Sequence, residues 1–316
     1  MTRRSNPDLE TGAPSGAPAD ARPAAFARTG PPSGAMTARH LGHEEAAIFE
    51  TFVVPRYLSM FGEQLLRMLV PGRDARVCHV HCQTGYPDRL LLDRLPNAHV
   101  HGCDASPWAI ELARAKAAAL VKSDEGVVFD YRVADALPLA FPPGAFSHAF
   151  TIHPLAAPQE RRALLEELAR IVAPRGQALI ALPLRGSFVE LADLLRECAL
   201  KHELTDLTSA VEAATQLRPT DELLEGELEA AGFEYVDIDV RSQRLEFAGG
   251  RAFLEDPITR LVVIPELRVS GVVDDPSRRA IDPLSYVRDA IDKYWSGNTF
   301  AMTVNVAVAS GRRKAS

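Results

Sequence analysis

Residues 76–90 read RVCHVHCQTGYPDRL, and the rest of the chain is organised around them. Val77 and Val80 mark a short apolar strand that runs into a tight turn at Thr84-Gly85. Pro87 stands in the first turn of a helix, where its missing N–H is an orphan in any case. A strand that turns sharply into a helix is how an α/β sheet builds a small-molecule site at the carboxyl end of its first strand.

Working outward, the same alternation recurs on both sides. Upstream, residues 40–70 carry Phe49, Phe52, Val53, Leu58, Phe61, Leu65, Leu66 and Leu69 at helical spacing, with a break expected at Pro55. Downstream, a first crossover helix is expected over 87–95 and a second strand over 98–103, finishing at Asp104. Ser106-Pro107 then reads as N-cap and first position of a helix reaching about Val121. A third strand (127–133) is followed by Asp135, and a fourth (146–152) by His153. An amphipathic helix (159–172), a turn at 174–176 and a fifth strand (178–182) complete the regular part. Strands alternating with helices of this length specify a parallel sheet with right-handed crossovers. The second half predicts helices at 188–204, 207–217 and 220–231, a sixth strand at 233–240, a mostly helical stretch at 245–297 and a closing strand at 299–309.

Of the 316 residues, 47% are hydrophobic and 24% charged, an ordinary globular balance. The first 36 residues are rich in Ala, Pro, Gly and Arg and read as a disordered leader, a tether or inert linker. A net charge of −7 with no basic stripe speaks against nucleic acid as a partner. No apolar run resembles a signal peptide or is long enough to span a bilayer, so a cytoplasmic location is expected. Four cysteines in a chain this long read as free thiols rather than a disulfide framework.

The order of these motifs resembles the class I S-adenosylmethionine (SAM)-dependent methyltransferases over roughly residues 45–310. In that family strand one ends V-L-D-x-G-x-G-x-G, and strand two ends in an acid for the ribose hydroxyls. A further Asp after strand three meets the adenine, and the end of strand four faces the substrate. Asp104 matches the ribose acid, Asp135 the adenine Asp and His153 the strand-four end. Ala173-Pro174-Arg175-Gly176 resembles the turn before strand five, and Phe49-Glu50 with Val54-Pro55 resembles the lead-in helix. The resemblance implies a seven-stranded, mostly parallel Rossmann-like sheet with an N-terminal helical cap and a helical insert before the last strand. The expected division is 1–36 leader and 37–316 domain, the latter comprising cap (37–72), core (73–184), helical or lid elaboration (185–298) and closing strand (299–310).

The loop that binds cofactor in the family departs from its pattern here. His79 stands where the acid belongs, His81 and Gln83 replace the first two glycines, and Gly85 alone matches. Glycines there let backbone approach the cofactor and adopt dihedrals that a Cβ resists. Side chains at 81 and 83 are expected to project into the cofactor's space. Two functions are therefore carried forward. One is a non-catalytic pseudo-methyltransferase that uses the old pocket, or the surface over it, for a protein partner or a different small molecule. The other is a SAM-dependent methyltransferase of a small molecule, with SAM held by Asp104, Asp135 and the Gly85 turn beside His79, His81 and Gln83, and His153 near the acceptor.

Imidazoles and thiols collect on the first two strands: Cys78, His79, His81 and Cys82, then His99, His101 and Cys103. Mixed His and Cys ligands suit Zn²⁺. There is no C-x-x-C pair, however, and buried thiols with satisfied strand-end histidines account for the group. The reading is no metal, with His79, His81, His101 and Cys103 as the candidates were one bound. His148 and His153 are candidate bases on strand four. Trp108, Trp295 and Tyr294 are expected in the core, and the charged helix over 160–167, with Arg161, Arg162 and Arg170, is expected to present a solvated face. Phe253, Leu254, Leu261, Val262, Val263, Ile264 and Leu267 are expected either to cap the pocket or to form a partner interface.

Overall fold

A computed structural model describes residues 41–120, 127–154, 157–273 and 281–315. The chain divides into two units, Met1–Ser33 and Gly34–Ser316. The expected leader over 1–36 lies outside the described residues, and all that follows concerns the second unit.

Seven strands form one sheet: β1 (Arg76–Val80), β2 (His99–Asp104), β3 (Val128–Val133), β4 (Phe146–Ile152), β5 (Val172–Pro183), β6 (Phe233–Phe247) and β7 (Phe300–Arg313). Their order is β3-β2-β1-β4-β5-β7-β6. The first five pair in parallel, and β7 runs antiparallel between β5 and β6. This is the expected architecture.

Alternation along the strands sorts the core into two faces. Val77, Phe150, Ile152, Leu179 and Ala181 enter one large apolar cluster with the N-terminal helices. Cys78, Val80, Ala149, Ile180 and Leu182 enter another, beneath α5 (Pro158–Ile171). Both faces of β1, β4 and β5 are therefore covered, which is why these strands are apolar almost throughout. Helix α4 (Pro107–Leu120) follows β2, with Ser106 as its N-cap: Ala109 N donates to Ser106 Oγ at 3.2 Å.

The N-terminal cap is α1 (His43–Ile48), a π-helical stretch (Phe49–Leu58) and α2 (Ser59–Met68). Pro55 does not break it. The wider π turn, with its shifted hydrogen bonding, absorbs the missing N–H and turns Val53, Val54, Tyr57 and Leu58 inward. The first crossover helix is shorter than expected: α3 spans only Asp88–Leu91, beginning after Pro87. Bonds from Leu92 N to Arg89 O and from Arg94 N to Leu91 O tighten the remainder into turns before Pro96.

The turn expected at 174–176 exists as a bulge inside β5. Phe146 pairs with Val172, yet His148 pairs with Gln177, so 173–176 loop out of register. The second half holds α6 (Val189–Lys201), α7 (Thr205–Leu217) and α8 (Asp221–Ala230), then α9 (Gly250–Glu255), a π turn (Thr259–Val263), α10 (Ile264–Val269) and α11 (Pro283–Tyr294). Strand β6 continues to Phe247, because Leu245 and Phe247 pack into the first core.

Three surface expectations are corrected. The charged face of α5 is solvated only in part: Arg162 and Glu166 are exposed, whereas Arg161 and Glu167 turn inward. Arg161 and Glu167 are 3% and 5% exposed, the first paired with Glu227, the second with Arg170 and the Leu139 N–H. Trp108 and Tyr294 are not core residues, being 45% and 49% exposed. Phe253, Leu261, Val262 and Val263 are buried in the main core, where α9 and the π turn close over β6 and β7.

Candidate functional site

The turn after β1 keeps a glycine-type backbone without the glycines. His81, Gln83 and Gly85 all have positive φ, at 55°, 49° and 78°. Non-glycine residues hold such dihedrals at a cost of about 1–3 kcal/mol each, so the surrounding structure must impose them. The remaining glycine serves internal packing. A Cβ on Gly85 would lie 3.0 Å from Tyr131 Oη and 3.1 Å from Ala113 Cβ.

His79 is buried at the end of β1 and stacks on Phe150, with centroids 4.1 Å apart. Its Nδ1 lies 2.7 Å from Asp88 Oδ1, and Tyr131 Oη donates to Asp88 Oδ2 at 2.9 Å. A carboxylate only accepts, so Nδ1 carries a proton, while Nε2 has no partner among the described residues. Burial, and next the nearby Asp88, raise the Tyr131 hydroxyl well above its ordinary range. An acid at position 79 would face this carboxylate directly, so the histidine there goes with Asp88.

His81 is also shielded. Its Nε2 is buried and unpartnered among the described residues, and burial, with His79 beside it, lowers the imidazole to about 4. It is neutral at pH 7. Gln83 N donates to Asp104 Oδ2 at 2.9 Å, while Ser106 N donates to Oδ1 at 2.8 Å. Both oxygens of Asp104, which is 5% exposed, thus hold the two loops that follow β1 and β2 together. Ser106 Oγ in turn donates to Leu41 O, tying down the start of the cap. Glu50 bonds Lys116 at 2.6 Å, and Lys116 donates to Thr84 O at 3.0 Å. Asp135 is exposed in the loop after β3 and stands apart from this network.

The histidines and thiols do not assemble. Cys78 and Cys103 meet across β1 and β2: the Cys78 thiol donates to Cys103 and lowers it, while burial raises Cys78. His101 packs edge-on to Phe141 and Phe146 and lies 3.3 Å from Asp130. Among the described residues no group of three His, Cys, Asp or Glu could hold a metal ion. His148 is removed from the loop after β1, since it pairs with Val77 at the opposite end of the strand and bonds Ser147 and Val70 O.

His153 belongs to a second cluster, at the carboxyl ends of β4 and β5. Its backbone is left-handed (φ 50°) and its Nε2 lies 2.8 Å from Tyr57 Oη and 3.5 Å from Glu266 Oε1. The rings of Tyr57 and Phe61 pack edge-on around it. Glu266 is also paired with Arg218. His153, Glu266 and Arg218 line a cleft of about 670 Å3, part of it open to solvent, with Leu182 and Pro183 as floor and α7 and α10 as walls.

The methyltransferase-domain family model matches residues 77–176, the segment that runs from β1 to the bulge in β5. Residues 77–176 are thus similar to a methyltransferase domain. Over 139 residues it is 32% identical to the demethylmenaquinone methyltransferase of Thermus thermophilus, a match spanning 40% of this chain and 61% of that protein. A Bacillus halodurans C-125 protein assigned as a methyltransferase superposes with a TM-score of 0.50 at 16% identity, covering 80% of this chain and 98% of the other. YcgJ from Bacillus subtilis gives 0.49 at 14% identity over 81% and 99% of the two chains. At that identity the Bacillus halodurans structure speaks to the fold alone.

Within residues 77–176, sequence reasoning located the turn, Asp104 and His153 but passed over their partners. Asp88 had a signal: an acid in the first turn of a helix, facing back toward a histidine on the preceding strand. Tyr57, Arg218 and Glu266 had none. They come from the cap, the end of α7 and α10, and only the tertiary fold brings them to His153.

Proposed function

We propose that this methyltransferase-like protein is a non-catalytic binding protein whose cofactor loop is closed by its own side chains. One observation carries the reading. The loop has left-handed backbone at 81 and 83, where the family has glycines, yet position 81 bears an imidazole whose Nε2 is buried. Two further observations support it: both oxygens of Asp104 are engaged by backbone N–H groups, and Gly85 is explained by Tyr131 and Ala113. SAM fits these residues poorly. Ligand binding then falls to the cleft beside His153, with a small molecule as the occupant.

A second reading, an active SAM-dependent methyltransferase, is favoured by the same preserved turn and by the relative from Thermus thermophilus. Titration calorimetry with SAM and its demethylated product separates the two. On the first reading the natural protein gives no heat up to millimolar ligand, and the His81→Gly/Gln83→Gly variant gains measurable affinity because room is restored over a backbone already suited to glycine. Micromolar binding by the natural protein, abolished by Asp104→Ala, establishes the second reading and overturns the first.

A further inference from the structure

Strand β6 ends the sheet on one side, and its outer edge is open. Among the described residues it pairs only with β7, and the bond that reaches its backbone from elsewhere runs from Gln64 Nε2 to Asp239 O, at 2.6 Å. Alternate residues of an antiparallel edge strand point their N–H and C=O groups away from the neighbour, so a strand of 15 residues presents a row of them outward. Proteins blunt such rows with proline, lysine or a bulge. The β6 sequence FEYVDIDVRSQRLEF has neither proline nor lysine, and its register with β7 shifts only at the amino end, between Glu234 and Asp237. From Asp237 to Phe247 the register is unbroken. In the middle of that run Val240, Arg241 and Ser242 are all exposed.

We infer that β6 is a dimer interface: a second copy of this chain lays its own β6 antiparallel along the open edge, with the two-fold axis through Val240, and the two sheets become one. Charge along the strand selects this occupant. Glu234, Asp237 and Asp239 fill the amino half, and Arg241 and Arg244 follow, with Glu246 beyond them. A parallel copy sets like charge against like, whereas an antiparallel copy sets the acidic half against the basic half. An axis normal to the sheet keeps each face on its own side, so it passes through a residue rather than between two. Through Asp239 or Arg241 it opposes a charge to itself. Through Val240 it places Asp239 of each copy opposite Arg241 of the other. Within one chain these two side chains already lie 3.1 Å apart, both part-exposed, so the dimer extends an existing pair into a ladder of four alternating charges. Opposed unlike charges and the new backbone bonds both favour the pairing.

The test is size-exclusion chromatography with light scattering on the full-length protein, from micromolar to near-millimolar concentration. A mass of two chains is expected. Arg241→Glu sets acids opposite one another at both symmetric positions and is expected to weaken dimerisation about tenfold or more. The exchanged variant Asp239→Arg/Arg241→Asp restores both pairs and is expected to dimerise within about threefold of the natural protein. Both positions are part-exposed, so an unchanged circular dichroism spectrum is expected throughout. Val240→Cys sits on the axis and is expected to give a covalent dimer with diamide, the two thiols passing two electrons and two protons to the oxidant. Glu246→Cys, far from the axis, is expected to give none; the native cysteines are buried. A monomer at every concentration overturns the proposal. So does a dimer that Arg241→Glu leaves intact and Val240→Cys does not crosslink, since it is then built on another surface. The readout involves neither SAM nor the His153 cleft, so its failure leaves the proposed function standing.

Discussion

At the scale of single residues, the turn after β1 holds side chains in a backbone shaped for none. His81 makes this measurable. Its folded value of about 4 lies below the ordinary 6.5, so between those pH values the unfolded chain takes up a proton that the folded chain refuses. The stability this histidine contributes is complete above pH 6.5 and is lost as pH falls toward 4, by up to about 3 kcal/mol. Urea midpoints at pH 7 and pH 4.5 are expected to differ less in His81→Asn, a residue that tolerates positive φ, than in the natural protein. The histidines were visible in the sequence as a break with the family's pattern, and so was their common face. Their state was not. Whether an imidazole at position 81 points outward or is enclosed depends on Asp88, Tyr131 and Phe150, which converge on His79 from three different elements.

At the scale of elements, the sequence marked where strands and helices stand better than which helix faces are wet. Helix α5 shows why. Its run of Glu and Arg has the pattern of a solvated face, but α8 packs beside it and delivers Glu227 to Arg161, with Nε at 2.6 Å and Nη2 at 2.9 Å from the carboxylate oxygens. Charge patterning along one helix carries no information about a partner 66 residues away. Arg161→Ala leaves Glu227 buried and unpaired, and is expected to cost about 3–5 kcal/mol in urea unfolding. Replacing both by apolar residues of similar volume, as in Arg161→Met/Glu227→Leu, is expected to recover most of that loss. The same limit explains the tightened α3 and the uninterrupted helix through Pro55. Local rules located proline correctly as a perturbation, while the packing of Val53, Val54 and Tyr57 against the sheet decided how it was absorbed.

At the scale of the whole molecule, the strand alternation and the final apolar run, Met302 through Val308, marked the strands, and the family resemblance supplied their joining into one seven-stranded sheet. The lid was harder, because its apolar residues serve the core and the cleft together: Leu267 belongs to both. Strand β7 lies between β5 and β6 and, among the described residues, is the only strand β6 pairs with. A chain stopped at Asn298 is expected to lose cooperative unfolding and to expose β6, read as a low, broad thermal transition with increased binding of an apolar dye. Order of synthesis adds a consequence in time. On the ribosome, β6 emerges with no strand beside it and waits for Phe300–Arg313, 53 residues further on from Phe247 to Phe300, roughly 3–10 s at ordinary elongation rates. During that interval a fifteen-residue strand with free backbone donors and acceptors is available to any neighbouring nascent chain, so the yield of this protein in cells is set by how that wait is shielded as much as by the stability of the finished sheet.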